Sequence, residues 1–518
     1  MTASSGATSP LQQLTLCLSL ATLLFLRQIG FWALPKNRYY FHWQRSDTLA
    51  LIAAVLAFAL LFFLIAWLVR RVWPARAGTI LQWLTIIFLA DVVVGYAGSG
   101  KIWGRSTVLA GAWAVVTGIG LYTSWRSAFR FLARGRDVLM ALAWLAPISF
   151  GQMLLWRPWD VRPAAADAQP AAGPARTPVF IFVFDGWSYE RSYQVDQLLT
   201  FFRNLRGLAG RSLEFTRAHS QGNTTTVSLP QLVFQRKGTL HVGNGVTHWR
   251  EGKSTTPSPQ VPSLFAAARA RGYRTSIIGF YLPYRGILGD QVEHITSHPH
   301  APKGNTLPGG MWIAAVRNLN FLADPVSQLL WLEWYTRAYS ENWARLNHEV
   351  RNGARDLIQR SDGSTFAMVH APLPHGPFVF KEDGTYRGAL AAGPGTADDY
   401  RRHLQVLDLT IGDIIREMEA VGVLDPALVI ITSDHSWKVE PDSALKNAPG
   451  VLTWVPLFVK LPHQTAPHRV SEPFCLGQIG VLIQRVIDTT LTEGNVLQEL
   501  SGLPSTASCA PTAGQPSD

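Results

Sequence analysis

The chain has 518 residues, 47% of them hydrophobic, with a formal net charge of +11. That length accommodates one large domain plus a second unit. The positive balance suits a membrane surface or an anionic substrate, and the absence of a basic, aromatic-interleaved module argues for no nucleic acid partner.

Apolar residues crowd into positions 1–156, the expected transmembrane domain. Five segments there are long enough to span a bilayer: Leu11–Leu34, Thr48–Val69, Thr79–Tyr96, Thr107–Thr123 and Val138–Trp156. Arg27 and Gln28 interrupt the first, and a signal peptide is its rival reading. No small-residue cleavage site follows, so a retained helix is expected. Five spans put the chain ends on opposite sides of the membrane. With the N-terminus inside, the cytoplasmic loops carry Arg70, Arg71, Arg76, Arg126, Arg130, Arg134 and Arg136. The outer loops carry Lys36, Arg38, Arg45, Lys101 and Arg105. The inward excess favours this orientation. It predicts a multi-pass protein of a bacterial-type inner (cytoplasmic) membrane, with its C-terminal part outside the cytoplasm. The outer loop Trp32–Trp43 is aromatic and basic, and reads either as an interfacial belt or as a ledge for a phospholipid head group.

Residues 157–177 are rich in Ala and Pro and read as a linker. The run Pro178–Phe184 is continuously apolar, as in a strand of a parallel sheet buried on both faces, and it ends at Asp185-Gly186-Trp187. Ser220–Pro230 places Thr224, Thr225 and Thr226 just before an apolar run able to start a helix, where unpaired backbone N–H groups favour an anion. Further strands are expected at Thr275–Phe280, Thr365–His370 and Leu428–Thr432, with helices at Pro262–Gly272 and Asp398–Val421. Strands alternating with helices predict an α/β domain over residues 178–501. The tail, 502–518, has the composition of a disordered segment. Cys475 and Cys509 fall in the outer part and could pair if that compartment is oxidising; the sequence does not decide whether they do.

In such sheets ligands gather beyond the carboxyl ends of the strands. Asp185, His370 with His375, and Asp434-His435 all stand there. Two carboxylates, an imidazole and a threonine oxygen form a ligand set suited to one divalent ion, Zn or Mn, with Ca or Mg as alternatives. Such an ion would lower the threonine pKa and align the hydroxyl for attack.

Phe182–Gly186, the threonine motif, Pro374-His375-Gly376-Pro377 and Ile431–His435 resemble the alkaline phosphatase superfamily, sulfatase-like branch. With the spans in front, the chain is similar to the membrane-anchored lipoteichoic acid synthases and lipid A phosphoethanolamine transferases. The resemblance implies an α/β sandwich catalytic domain behind a bundle of about five transmembrane helices. It implies Asp185, Thr225, Asp434 and His435 as metal ligands. Thr225 is selected as nucleophile because the family places a Ser three residues later, here Ser228. His375 takes the place of a histidine that touches the substrate or leaving group. Lys438 stands near enough to His435 in sequence to touch the transferred group, and Arg285 after another strand end could bind an anion. Asp185 stands where the transferases carry Glu, and Gly186 where sulfatases carry a second Asp. His463 and His468 are the available candidates for a second metal, but Leu461–Gln464 also reads as a surface turn.

These features predict a phosphotransferase working through a phosphothreonine. It would take a phosphoethanolamine- or phosphoglycerol-like group from a membrane lipid donor to an envelope lipid or glycan acceptor. The alternatives are a sulfatase-like hydrolase of sulfate or phosphate esters, and a non-catalytic glycan-binding protein. A threonine cannot be oxidised to formylglycine as the Cys or Ser of sulfatases is, which argues against a true sulfatase. Oligomeric state is not legible in the sequence.

Overall fold

The computed structural model describes residues 10–98, 145–155, 177–243, 246–320, 322, 324–388, 395–438 and 450–501. The chain divides into two units, one comprising residues 1–158 with 301–339, the other 159–300 with 340–518.

The first unit is helical. It holds α1 (Pro10–Ala33), α2 (Pro35–Tyr40), α3 (Arg45–Val72), α4 (Ala77–Gly98) and α5 (Leu145–Leu155). Among the described residues three helices, α1, α3 and α4, are long and apolar enough to cross a membrane. That is fewer than the five expected. The span at 107–123 lies outside the described residues, and the described part of the fifth is the short helix α5. The helices meet through small and aromatic side chains, with Ala21, Leu24 and Phe25 of α1 against Leu51, Ala54 and Val55 of α3. Residues 301–339, which interrupt the other unit in sequence, fold here.

The second unit is built on an eight-stranded sheet. Its strands are β1 (Val179–Asp185), β2 (Leu213–Phe215), β3 (Arg274–Phe280), β4 (His294–His298), β5 (Thr365–Pro374), β6 (Leu428–Ser433), β7 (Leu457–Lys460) and β8 (His468–Val470). Their order is β4-β3-β5-β1-β6-β7-β2-β8. The first five run parallel; β7 pairs antiparallel with β6 and with β2. Every residue of β1 is buried, as a central parallel strand requires.

On one face Phe180, Phe182 and Phe184 pack against two helices, α8 (Pro325–Gln359) and α9 (Ala397–Ala420), which are numbered after α6 (Thr225–Phe234) and α7 (Leu307–Leu319). Within this unit the C-terminal half of α8 supplies Trp343, Leu346, Val350 and Ile358, and α9 supplies Leu404, Leu407, Ile411 and Met418. On the other face Phe265 meets Phe366 of β5 edge-on. The capping box of Thr396 and Asp399 starts α9. Burying about ten such large side chains at roughly 2 kcal/mol each gives this unit its core.

Candidate functional site

β1 and β6 lie side by side in register, Phe184 opposite Ser433, so the residues that follow them emerge together. Asp185 closes β1, and Asp434 and His435 follow β6. Ser433 ties the two ends: its hydroxyl donates to the Phe184 carbonyl at 2.7 Å and accepts from the Trp187 N–H at 2.8 Å. Gly186 turns the chain with φ +73°, a conformation open to glycine, with the His375 and His435 rings beside it.

Each carboxylate has one buried oxygen without a hydrogen-bond partner. Asp434 Oδ1 accepts from the Gly186 and His435 backbone N–H groups at 3.0 and 2.8 Å. Asp434 Oδ2 and Asp185 Oδ1 are buried with no hydrogen-bond partner. These same two atoms face His435 Nε2, at 3.5 and 3.4 Å. His435 Nδ1 carries the ring proton and donates it to the Ser436 carbonyl at 2.7 Å, so Nε2 presents a lone pair. Thr225 Oγ1 lies 3.4 Å from that Nε2. Four oxygen and nitrogen donors about 2.1 Å from one ion in tetrahedral array sit about 3.4 Å apart. The residues present therefore fit a divalent cation, which would also give the two orphaned oxygens a partner.

Burial, then the charge of Asp434, pushes the Asp185 carboxyl well above the usual carboxylate range, while Lys438 pulls it down. Burial also raises Asp434, but His435, His370 and the bonds from Thr225 and Gly186 hold it below its ordinary value. Burial lowers His435. Two buried, adjacent carboxylates shifted in opposite directions are what a cation at this point would relieve.

The three threonines separate cleanly. Thr224 is the N-cap of α6, Thr225 its first residue, and only Thr225 turns to His435. Thr224 and Thr226 face each other at 3.3 Å. Ser228 does not touch Thr225; its hydroxyl back-bonds to the Thr224 carbonyl at 2.8 Å and fixes the first turn. Thr225 thus sits where the first amides of α6 lack partners.

His375 follows β5. Its Nδ1 donates to the Gly376 carbonyl at 2.6 Å, leaving Nε2 open, and burial lowers its pKa to about 4. Lys438 is exposed, and its charge is felt by Asp185, His435 and His375. Arg285 opens a short helix, Tyr284–Leu288, and its Nη1 is buried without a partner; no contact joins it to the four clustered residues.

His370, expected to be structural, is wholly buried with Nδ1 2.8 Å from the Tyr284 hydroxyl. Its Nε2 has no partner, and it lies within electrostatic reach of Asp434. Sequence reasoning missed Tyr284 and Tyr400. Tyr400 of α9 donates to the Gly186 carbonyl at 2.8 Å and accepts from the Ser188 N–H at 2.9 Å. It stacks on Trp437, which belongs to the Asp434-His435 loop. No local pattern marks an isolated tyrosine on an amphipathic helix. His463 is at a surface turn, paired with Asp425 at 2.6 Å, and His468 lies 3.9 Å from Glu493; neither joins the cluster. Cys475 is disulfide-bonded, and its partner lies outside the described residues.

The family model described as Sulfatase matches residues 179–475, more than half of the chain. No curated protein matches. Among solved structures, a sulfatase from Pseudoalteromonas sp. is similar at 13% identity, covering 61% of this chain and 69% of that one, with TM-score 0.40. A phosphonate monoester hydrolase of Agrobacterium radiobacter is similar at 15%, covering 60% and 74%, with TM-score 0.36. A lipoteichoic acid synthase of Listeria monocytogenes is similar at 12%, covering 65% and 78%, with TM-score 0.37.

Proposed function

Because the chain belongs to the sulfatase family, an enzyme family whose model spans the whole Asp185–His435 cluster, we propose that it is a membrane-anchored, metal-dependent phosphotransferase. It moves a phosphoethanolamine- or phosphoglycerol-like group from a lipid donor to an envelope lipid or glycan. The observation that carries this reading is the residue at the nucleophile position. Thr225, and not Cys or Ser, stands 3.4 Å from His435 Nε2 at the start of α6. Its β-methyl blocks oxidation to an aldehyde, and its hydroxyl suits direct attack on phosphorus.

Asp185, Thr225, Asp434 and His435 would hold the cation. When bound, it supplies Lewis-acid activation of the hydroxyl and neutralises charge on the transferred group. Thr225 Oγ1 gives its proton to water and forms the new O–P bond while the O–P bond to the lipid alcohol breaks, and that alcohol leaves with a proton taken from water. An acceptor hydroxyl then attacks the phosphothreonine. His375 Nε2, the open nitrogen, takes its proton, and Thr225 is released. The first amides of α6 and the Lys438 ammonium stabilise the phosphoryl oxygens. Arg285 contacts the anionic substrate.

Three long apolar helices support a membrane location, and the disulfide at Cys475 supports an oxidising compartment, outside a bacterial-type cytoplasm. The test uses purified full-length protein, a divalent cation and head-group-labelled phosphatidylethanolamine or phosphatidylglycerol. Diacylglycerol should form, with the label on an added lipid or glycan acceptor. Label released only as free head-group phosphate would make the protein a hydrolase. Cleavage of a sulfate ester with no diacylglycerol would overturn the reading.

A further inference from the structure

A second polar cleft lies within the helical unit, at the ends of α1 and α3. α7, from the segment 301–339, packs along α3 and α1. Gln28 of α1 anchors it, donating to the Ala314 carbonyl at 2.8 Å. Lys303 holds the near end, bonded to the His42 carbonyl and to Asp47 Oδ2. The cleft left between them is lined by Trp32, Trp43, Asp47, Lys303 and Arg317, among others.

Two of these side chains present donors without a protein partner among the described residues, one part-exposed and one buried. The Arg317 guanidinium stands over the Phe31 and Trp32 rings, 5.3 and 5.0 Å from their centroids, and among the described residues no carboxylate pairs with it. Trp32 is 2% exposed, and its indole N–H is buried without an acceptor. Its neighbour Trp43, stacked on it at 4.0 Å, shows the contrast: that indole donates to the Thr48 hydroxyl at 2.8 Å. A buried N–H with no acceptor loses its hydration without compensation, so an acceptor is expected there. Arg317 asks for an anion, and Asp47, the cleft's one carboxylate, is already taken by Lys303. The unmatched charge of the cleft is one positive.

We propose that this cleft binds the phosphodiester of an anionic phospholipid head group, with the Arg317 guanidinium and the Trp32 indole N–H donating to its oxygens. A lipid, and not a free anion, is indicated by position. The cleft sits at the terminus of two membrane-length helices, in a layer of stacked and edge-packed Phe31, Trp32, Phe41 and Trp43, where aromatic side chains meet head groups. Among the described lining residues no spare carboxylate can receive an ammonium, so a glycerol head group fits better than an ethanolamine one. The site shares no residue with the Asp185–His435 cluster, and the proposal does not depend on the group-transfer reading.

The test is photocrosslinking of full-length protein in detergent with a phosphatidylglycerol whose head group carries a photoactivatable label, followed by peptide mapping. Label should fall on peptides containing Trp32 or Arg317. R317Q and W32F should each cut it about tenfold, the loss expected for a charged or buried hydrogen bond. W32F removes the N–H together with part of the indole volume, so an unchanged melting temperature in the unliganded variant is the control that separates ligand binding from packing. T225A should label as the parent does, which keeps this outcome apart from any failure at the catalytic cluster. Unlabelled short-chain phosphatidylglycerol should compete, and dioctanoylglycerol, lacking phosphate, should not. Label that persists in both R317Q and W32F would overturn the proposal. So would equal competition by inorganic phosphate, which would mark a free-anion site, or by phosphatidylethanolamine, which would remove the charge argument.

Discussion

In the proposed reaction Thr225 acts through its position and not through any special environment of its own hydroxyl. It is the first residue of α6 and 5% exposed, while the cap position belongs to Thr224. Thr225→Ala therefore leaves the cap intact and removes one buried hydroxyl, a loss of about 1 kcal/mol. The variant should fold, bind membrane and lose turnover by at least the roughly thousandfold typical of a missing nucleophile. Thr224→Ala and Thr226→Ala should retain most activity, since their hydroxyls face each other. Mass spectrometry of trapped protein should find phosphate on Thr225; phosphate on either neighbour would assign the wrong oxygen. His375 supplies a pH signature. Burial lowers its pKa to about 4, against the weaker raising effect of the Gly376 carbonyl. A group that works neutral is then competent above pH 4 and fails as pH falls through that value. The acid limb of kcat/KM should lie below pH 5, and a limb centred at the ordinary imidazole value, about 6.5, would remove His375 from the proton-accepting role.

At the scale of elements, the site depends on two adjacent parallel strands ending together. Ser433 bonds the end of β6 to the end of β1. Ser433→Ala leaves the buried Trp187 N–H without an acceptor and should cost about 1–3 kcal/mol. Its thermal shift should come with weakened metal affinity, because the same bond aligns Asp185 with Asp434; intact metal affinity would show that the strands hold their register without it. The strand ends were legible in the sequence because a continuous apolar run stopped by Asp-Gly or Ser-Asp-His has few other meanings. Leu428–Ser433 and Val179–Asp185 end within a residue of the expected points. The strand His294–His298 was not legible: it is a polar edge strand with no alternation to read. Nor was the destination of residues 301–339. An amphipathic helix looks the same whether its apolar face meets a sheet or other helices, and Trp343 turned into the sheet core while Trp312 and Trp334 stayed outside it. Tyr400 and Tyr284 are set by tertiary contacts alone.

For the whole molecule, two predictions concern what surrounds the chain. With an inside N-terminus, a reporter active only in the cytoplasm and fused after Asp518 should be silent. A strong signal would reverse the orientation and remove the envelope substrate. Chelation should lower the melting temperature of the purified protein, since an ion that binds only the folded state at a hundredfold excess over Kd adds about 2.7 kcal/mol. Asp434→Asn should abolish that difference. A melting temperature indifferent to chelator in the parent protein would mean that the cluster holds no structural cation.

The excursion of residues 301–339 into the helical unit has a consequence for anyone who cuts the chain. Val326, Leu330 and Trp334 are spaced four residues apart along one face of α8 and are all exposed, as are Leu307 and Trp312 of α7. Cleavage in the 157–177 linker would release a fragment that still carries both helices, now stripped of α1 and α3. Such a fragment would be greasy on one arm and should partition with vesicles or detergent in a flotation assay, although every long apolar helix had been removed. A soluble catalytic fragment would need that internal arm excised as well, at both of its ends, so shedding this enzyme from its membrane takes three cuts and not one.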